Sequence, residues 1–315
     1  MVFKLRIAAV LSMLILMAGV TNAVESGNEL KFFYLEPASQ WQDGLPVGNG
    51  QVGAMVMGTV PQERIGLNHS WLWRDSKLRG RTNPKVAHHL PYIRKLFFEG
   101  KLIEASNAAH RLLGSQGVSN GNPPLHYEVH YGPDPFQPAG DLYINFPGQG
   151  DVEDYRRELD LSTAIARVTY GKNNVKYTRE VFASSTEGII VVRLSADKRN
   201  MITCSAELSR IEDPECTLMP WAEGERFGFV GEFYEKKRFA ITAAVSLKGG
   251  EGEAFINEGR SGFRIKGADE ALILLSITTD HNTNDPKGLC TKQLDWVALI
   301  TSWRLLLVTP FCSIT

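Results

Sequence analysis

The hydrophobic pattern of the chain predicts strands, then a helical hairpin, then many more strands. Short apolar runs bounded by Gly, Pro, Asn and Asp are typical of strands, and the first lies at residues 30–35. Between residues 84 and 113 the spacing changes, because Val86, Leu90, Ile93 and Phe97 follow one another at intervals of four, three and four. The pattern resumes after Gly100, which predicts two helices joined by a tight turn.

From about residue 140 the pattern is that of β structure. Residues 164–170 alternate between apolar and polar, a turn follows at 171–174, and residues 175–181 continue the alternation, which predicts a β-hairpin. Further strands are predicted at 189–194, 201–208, 239–247, 263–266 and 272–278. Many strands without helices between them predict a mainly β fold, a large antiparallel sandwich with the helical hairpin near residues 84–113 as an insertion.

The two ends of the chain carry different patterns. Lys4 and Arg6 precede an apolar run at 7–20 and the small residues at 21–23, which predicts a secretory signal peptide over residues 1–23. The run is shorter than the roughly 20 residues of a membrane span, so we expect a secreted or periplasmic protein without a membrane anchor. The apolar tail at 294–315 predicts the start of a helix that belongs to a following domain, and Asp295 and Arg304 interrupt it too early for a span.

Composition and charge exclude some classes of function. The chain has 315 residues, of which 43% are hydrophobic, so it is not a disordered protein. Lys and Arg total 34 against 35 Asp and Glu, and this balance argues against a nucleic-acid partner. The four cysteines lack metal-site spacing. Cys204 and Cys216 are compatible with a short disulfide loop, or with Cys204 as a small buried apolar residue.

Three motifs suggest chemistry, and each has a simpler interpretation. The pattern G-x-G-x-x-G at 48–53 lacks the strand-to-helix context of a dinucleotide site, so we interpret its glycines as turn and packing positions. The pattern H-x-E-x-H at 126–130 would form a metal triad on a strand, but Pro and Gly flank it, which favours solvated histidines in a loop. The charged cluster at 151–158 includes a candidate acid–base carboxylate pair, and a solvated strand entrance is the simpler interpretation. We therefore predict no catalytic residue, metal or cofactor.

A series of ordered motifs carries a specific resemblance. The segment WQDGLPVGNGQVGAMVMG at 41–58 is followed by ERIGLN at 63–68 and LW at 72–73. Later motifs keep the same order along the chain, at 140–143, 155–161, 163–166, 177–184, 192–194, 267–269 and 285–286. Over residues 32–290 the chain resembles the N-terminal domain of the inverting α-L-fucosidases of glycoside hydrolase family ninety-five.

This resemblance implies a fold for the chain and a separate domain for catalysis. It implies a large β-supersandwich at 24–288, which in the family precedes an (α/α) toroidal barrel that holds the catalytic residues. There a glutamic acid protonates the leaving oxygen, and asparagines backed by an aspartate position the attacking water. None of these residues maps onto this chain. Residues 289–315 would be a truncated or frameshifted start of the linker helix, and the chain alone would be inactive.

One loop departs from the family pattern. Where the family commonly reads LNEDTLWSG, this chain reads LNHSWLWRD at 67–75. An indole face stacks on pyranose C–H groups and a guanidinium binds hydroxyls. The candidate substrate-loop residues are therefore Asn68, His69, Trp71, Trp73 and Arg74, with a core position for Trp73 and interface packing for the rest as the simpler alternative.

The expected partner is a fucosylated glycan or oligosaccharide, once a catalytic barrel completes the site. Two alternatives stay open at this point. One is a stand-alone carbohydrate-binding or interaction module that uses the exposed sandwich face. The other is a family member of the α-L-galactosidase type, because that sugar differs from fucose only by a hydroxyl on the terminal carbon.

Overall fold

The computed structural model describes residues 30–74, 86–113, 136–281 and 283–300, which form sixteen strands and three α-helices. The strands are β1 (Lys31–Tyr34), β2 (Leu45–Gly48), β3 (Val52–Val56), β4 (Gln62–His69), β5 (Gly140–Asn145), β6 (Glu153–Asp160), β7 (Ile165–Lys172), β8 (Val175–Ala183), β9 (Ile190–Ala196), β10 (Ile202–Ser209), β11 (Cys216–Glu223), β12 (Arg226–Phe233), β13 (Arg238–Lys248), β14 (Glu251–Asn257), β15 (Arg260–Ala268) and β16 (Glu270–Thr279). The helices are α1 (Leu90–Phe98), α2 (Leu102–Leu113) and α3 (Pro286–Ile300).

The strands form two sheets in which every named pair is antiparallel. The nine-stranded sheet has the order β1-β6-β7-β8-β9-β16-β13-β12-β11, and the seven-stranded sheet has the order β14-β15-β10-β5-β4-β3-β2. The helical hairpin α1–α2 is inserted between β4 and β5. The predicted mainly β sandwich and its helical insertion are both confirmed.

The core lies between the two sheets, where alternate residues of each strand point inward. Ile65 and Leu142 of the seven-stranded sheet and Phe239 and Ile273 of the nine-stranded sheet are almost inaccessible to solvent. The β7–β8 hairpin has the register that the alternation predicts, with Thr169 opposite Thr178. Asn173 and Asn174 form its turn with positive φ angles, which asparagine tolerates better than most residues.

A buried ion pair joins the two sheets. Arg179 of β8 lies 3.2 Å from the carboxylate of Glu63 on β4, and both side chains are almost completely buried. The guanidinium also donates to the carbonyls of Thr59 and Val60, each at 2.7 Å, and lies over the Phe146 ring. Arg179 therefore fixes the turn between β3 and β4 against the opposite sheet.

The helix α3 covers part of the nine-stranded sheet. Leu294 and Val297 pack on outward-facing residues of β9 and β16, among them Val191 and Leu274. The predicted helical tail thus begins at Pro286 and is described to Ile300, whereas residues 301–315 and the predicted signal peptide lie outside the described residues. Within the described part of the chain, no helix is long and apolar enough to cross a membrane.

Candidate functional site

The candidate substrate loop lies at one end of the sandwich, which we call the loop end. The loop end includes the connections at 49–51, 70–74, 136–139, 184–189, 210–215 and 234–237, and residues 280–281 and 283–285 after β16. Backbone hydrogen bonds join neighbouring connections, for example from Ser70 N to Gln51 O at 2.8 Å and from Gln137 N to Leu72 O at 2.9 Å. The loop after β4 is therefore fixed on two sides.

The glycine motif at 48–53 forms a hairpin turn at the loop end. Gly48 of β2 pairs with Gly53 of β3, and Gly50 has a φ of 88°. The Asn49 side chain accepts hydrogen bonds from the N–H groups of Gln51 and Val52 at 2.9 Å and donates to the Ser184 carbonyl at 2.7 Å. The interpretation of these glycines as turn positions is confirmed, because no helix follows the turn.

Asn68 and His69 end β4 and point to opposite faces of the sheet. Asn68 is half-buried on the outer face, opposite Gly53, whereas His69 is buried between the sheets. The Trp71 N–H donates to His69 Nδ1 at 3.1 Å. This nitrogen must therefore be unprotonated, and His69 acts as a support for the loop.

Two exposed tryptophans follow His69. The Trp71 ring stacks on His281, with ring centroids 4.0 Å apart and planes 8° from parallel. Trp73 donates from Nε1 to the Ser70 carbonyl at 2.7 Å and contacts Phe136. About half of each indole is exposed, 52% for Trp71 and 45% for Trp73, so the alternative that places Trp73 in the core is wrong. His281 was not a sequence candidate.

Arg74 ends the loop as a buried anchor. Its guanidinium binds Glu235 through two nitrogens, with a shortest distance of 2.7 Å, and Glu215 through Nη1 at 2.7 Å. It also lies over the Phe233 ring, 5.2 Å from the centroid. The side chain is buried, so its guanidinium is committed to carboxylates and holds the tryptophan loop in place.

The other candidate residues from the sequence either stabilise the fold or lie outside the described residues. Cys204 and Cys216 are free thiols on different sheets, and burial raises the pKa of the Cys204 thiol to about 12. In the charged cluster, Glu158 binds Arg156 and Arg167. The H-x-E-x-H motif at 126–130 lies outside the described residues, which include no group of three His, Cys, Asp or Glu side chains arranged to hold a metal ion.

The position of His69 predicts a pH dependence of stability. Burial, followed by the charge of His281, lowers the pKa of His69 from 6.5 to about 4. The unfolded chain therefore binds a proton between these values that the folded chain does not bind, and stability falls as the pH drops from 6.5 towards 4. We expect this one group to reduce the unfolding free energy by about 3 kcal/mol at pH 4.

Urea unfolding at several pH values checks this prediction. The matched variant His69→Asn keeps an acceptor near the Trp71 N–H but does not titrate. Its unfolding free energy should fall less steeply below pH 6.5 than that of the unaltered chain. If the unfolding free energies of the two proteins depend equally on pH, the pKa of His69 is not lowered in the folded chain.

The chain matches a glycosyl hydrolase family model and two fucosidase sequences. Residues 32–284 match the family model described as glycosyl hydrolase family 65, N-terminal domain. The chain is 32% identical over 172 residues to alpha-L-fucosidase 2 of Arabidopsis thaliana, a match that covers 54% of this chain and 18% of the relative. It is 30% identical over 159 residues to probable alpha-fucosidase A of Aspergillus niger, covering 49% of this chain and again 18% of the relative.

Among solved structures, the chain is similar to a putative kojibiose phosphorylase from the human microbiome. The match has 14% sequence identity and a TM-score of 0.37, and it covers 49% of this chain and 23% of that one. The sequence matches to the fucosidases span less than a fifth of those proteins. The predicted resemblance to an N-terminal glycosidase domain of the fucosidase type is confirmed.

Proposed function

The chain belongs to the family of glycosyl hydrolase N-terminal domains, and we propose that it forms the non-catalytic N-terminal part of a secreted, inverting α-L-fucosidase. The matches to two α-fucosidases support the choice of sugar. The observation that carries the proposal is the loop after β4, which presents the exposed Trp71 and Trp73 indoles at the end of the sandwich. Indole faces suit the C–H face of a pyranose.

The proposal assigns this chain a binding role and leaves the chemistry to another part of the enzyme. Inversion requires an acid that protonates the leaving oxygen and, on the opposite face of the sugar ring, groups that position and activate a water molecule. At the loop end, Glu215 and Glu235 both bind Arg74, and Glu187 binds Ser184. These three carboxylates are engaged in ion pairs and hydrogen bonds within the domain, which supports the proposal that the catalytic groups lie in another part of the enzyme.

Kinetics with a completed enzyme test the binding role. We would join this chain to the catalytic portion of the Arabidopsis relative and replace Trp71 with alanine. If Trp71 binds substrate in its ground state, KM for a fucosylated oligosaccharide should rise about three- to tenfold while kcat changes little. The matched control is Trp296→Ala, which removes an exposed indole from α3 and should leave both constants unchanged.

The opposite pattern would contradict the proposed role. If Trp71→Ala lowers kcat with unchanged KM, the loop acts on the chemical step. If neither constant changes, the loop end does not face the substrate. Proton NMR of the first sugar released adds an independent check, because an inverting α-L-fucosidase must release β-L-fucose.

A further inference from the structure

The outer face of the seven-stranded sheet carries exposed aromatic and polar side chains that have no role in the proposed binding at the loop end. Helix α3 packs on the other sheet, whereas the described outward-facing side chains of β4, β5, β10, β14 and β15 are exposed or half-exposed. They include aromatic rings, amides and paired charges. This combination of groups differs from a purely charged, solvated surface and resembles a ligand-binding face.

Two aromatic rings lie against this face because glycines beneath them leave room. A Cβ at Gly66 of β4 would lie 3.4 Å from Nε1 of Trp41, and a Cβ at Gly262 of β15 would lie 2.6 Å from the Phe255 ring. Tyr143 of β5, which pairs in register with Arg64 of β4, lies between these two strands. Trp41 is 48% exposed, so its indole offers an accessible apolar surface on the sheet.

Hydrogen-bonding groups alternate with these rings. Arg64 makes a forked contact with Asp141, with Nε–Oδ1 at 2.8 Å and Nη2–Oδ2 at 3.3 Å. Further along the strands, Gln62 donates to Asn145 at 2.7 Å, and Asn145 lies 3.4 Å from the Ser205 hydroxyl. The strand register aligns these amides and hydroxyls in one row across β4, β5 and β10.

A groove of about 760 Å³ continues this row at the end of the sheet away from the loop end. Phe146, Pro61 and Pro147 contribute apolar surface, and Asn145 and Ser205 contribute polar groups. Its volume lies within the range of about 300–1,000 Å³ that is common for small-molecule sites. From Asp141 to Asn145 the face extends about 14 Å along β5, the length of a short oligosaccharide.

The charges on the face favour a neutral ligand. Arg64 is paired with Asp141, Arg264 with Glu253 at 2.9 Å, and Lys266 with Glu251 at 3.1 Å. A charged ligand would have to compete with these ion pairs for its partners. Sugar hydroxyl groups can instead form hydrogen bonds with the oxygen lone pairs and N–H groups that the ion pairs do not use. Arg264 also lies over the Phe255 ring at 4.1 Å, which holds the guanidinium flat on the sheet.

We propose that this aromatic face, from Trp41 to the groove at Asn145 and Ser205, is a second carbohydrate-binding surface that takes a neutral oligosaccharide. The indole of Trp41 contacts the apolar face of one sugar ring, and the amides and hydroxyls of the groove bind hydroxyls of another. This surface is separate from the loop end and does not depend on the sugar that the enzyme hydrolyses.

Calorimetric titration of the purified chain tests this proposal. The neutral probes are cellohexaose, maltohexaose and xylohexaose, which carry no fucose, and hexagalacturonate is the anionic probe. We expect at least one neutral probe to bind with a Kd on the order of 1 mM, and Trp41→Ala to weaken it about tenfold. The matched control Trp296→Ala, which removes an exposed indole from α3 on the other sheet, should leave this Kd unchanged.

A second variant keeps the test decisive if Trp41→Ala does not fold. Ser205→Trp places a large side chain in the groove, leaves every aromatic ring of the face in position, and should abolish binding. The proposal is overturned if no neutral probe binds at about 10 mM, if hexagalacturonate binds more tightly than the neutral probes, or if Trp296→Ala removes the binding instead. This titration does not measure hydrolysis. A negative result would therefore contradict the second surface but not the proposed role of the loop end, which the kinetic experiment tests.

Discussion

Replacing Arg179 with methionine should lower the free energy of unfolding by about 3–5 kcal/mol, the largest effect that we expect of any single substitution here. The guanidinium joins the two sheets through Glu63 and also binds the Thr59 and Val60 carbonyls and the Tyr170 hydroxyl. Methionine fills much of the space but satisfies none of these groups. The buried carboxylate of Glu63 then loses its opposite charge.

Urea unfolding of the variant measures this loss, and Arg167→Met is the matched control. Arg167 lies on the neighbouring strand β7, with about a third of its side chain exposed, and binds Glu158 and Glu180 near the surface. Its replacement should cost less than about 1 kcal/mol, as is usual for solvent-accessible ion pairs. Similar losses for the two variants would contradict the assignment of Arg179 as the connection between the sheets.

Replacing Arg74 with alanine should lower the unfolding free energy by about 2–4 kcal/mol and loosen the tryptophan loop. Its guanidinium lies between Glu215 and Glu235, and the Glu235 side chain is fully buried. Removing the shared cation leaves two carboxylates close together in a site of low polarity. The loop would then lose its contact with the turn between β12 and β13.

Two measurements separate the loss of stability from the loss of loop order. Urea unfolding measures the loss of stability. Hydrogen exchange of the amides at 70–74 measures the loss of loop order, and we expect the exchange rates to increase strongly. Arg74→Lys keeps the charge but not the forked geometry, so its loss should be intermediate. Lys236→Ala changes an exposed cation of the same turn and should have little effect. Unchanged exchange at 70–74 in Arg74→Ala would contradict the anchoring role.

The sequence predicted the strands whose apolar residues are continuous or alternate regularly, and it did not predict two of the edge strands or several inner strands. Buried strands such as β9 and β16 are almost continuous apolar runs, and the β7–β8 hairpin combines alternation with an asparagine turn. By contrast, β11 and β14 end their sheets and are not predicted, and neither are the inner strands β4, β5 and β12. Edge strands bury little surface and tolerate breakers, as Pro220 in β11 and Gly252 in β14 illustrate.

The site was predicted only in part, because its partners are distant in the chain. The motif comparison identified the loop from Asn68 to Arg74, and the structure places both Trp71 and Trp73 at the surface. It could not identify His281, Glu215 or Glu235, since each meets the loop only when β16 and β11–β13 fold beside it. For the same reason Arg74 was expected to bind hydroxyls, whereas folding pairs it with carboxylates.

Hydrolysis of an aryl α-L-fucoside by the purified chain is the most direct test of the central claim, that this domain supports and binds but does not catalyse. Release of the aryl group would be followed with the chain alone and, as a positive control, with the chain joined to the catalytic portion of its Arabidopsis relative. We expect the chain alone to release the aryl group no faster than buffer, whereas the joined protein should hydrolyse the fucoside. Appreciable hydrolysis by the chain alone would show that this domain catalyses the reaction.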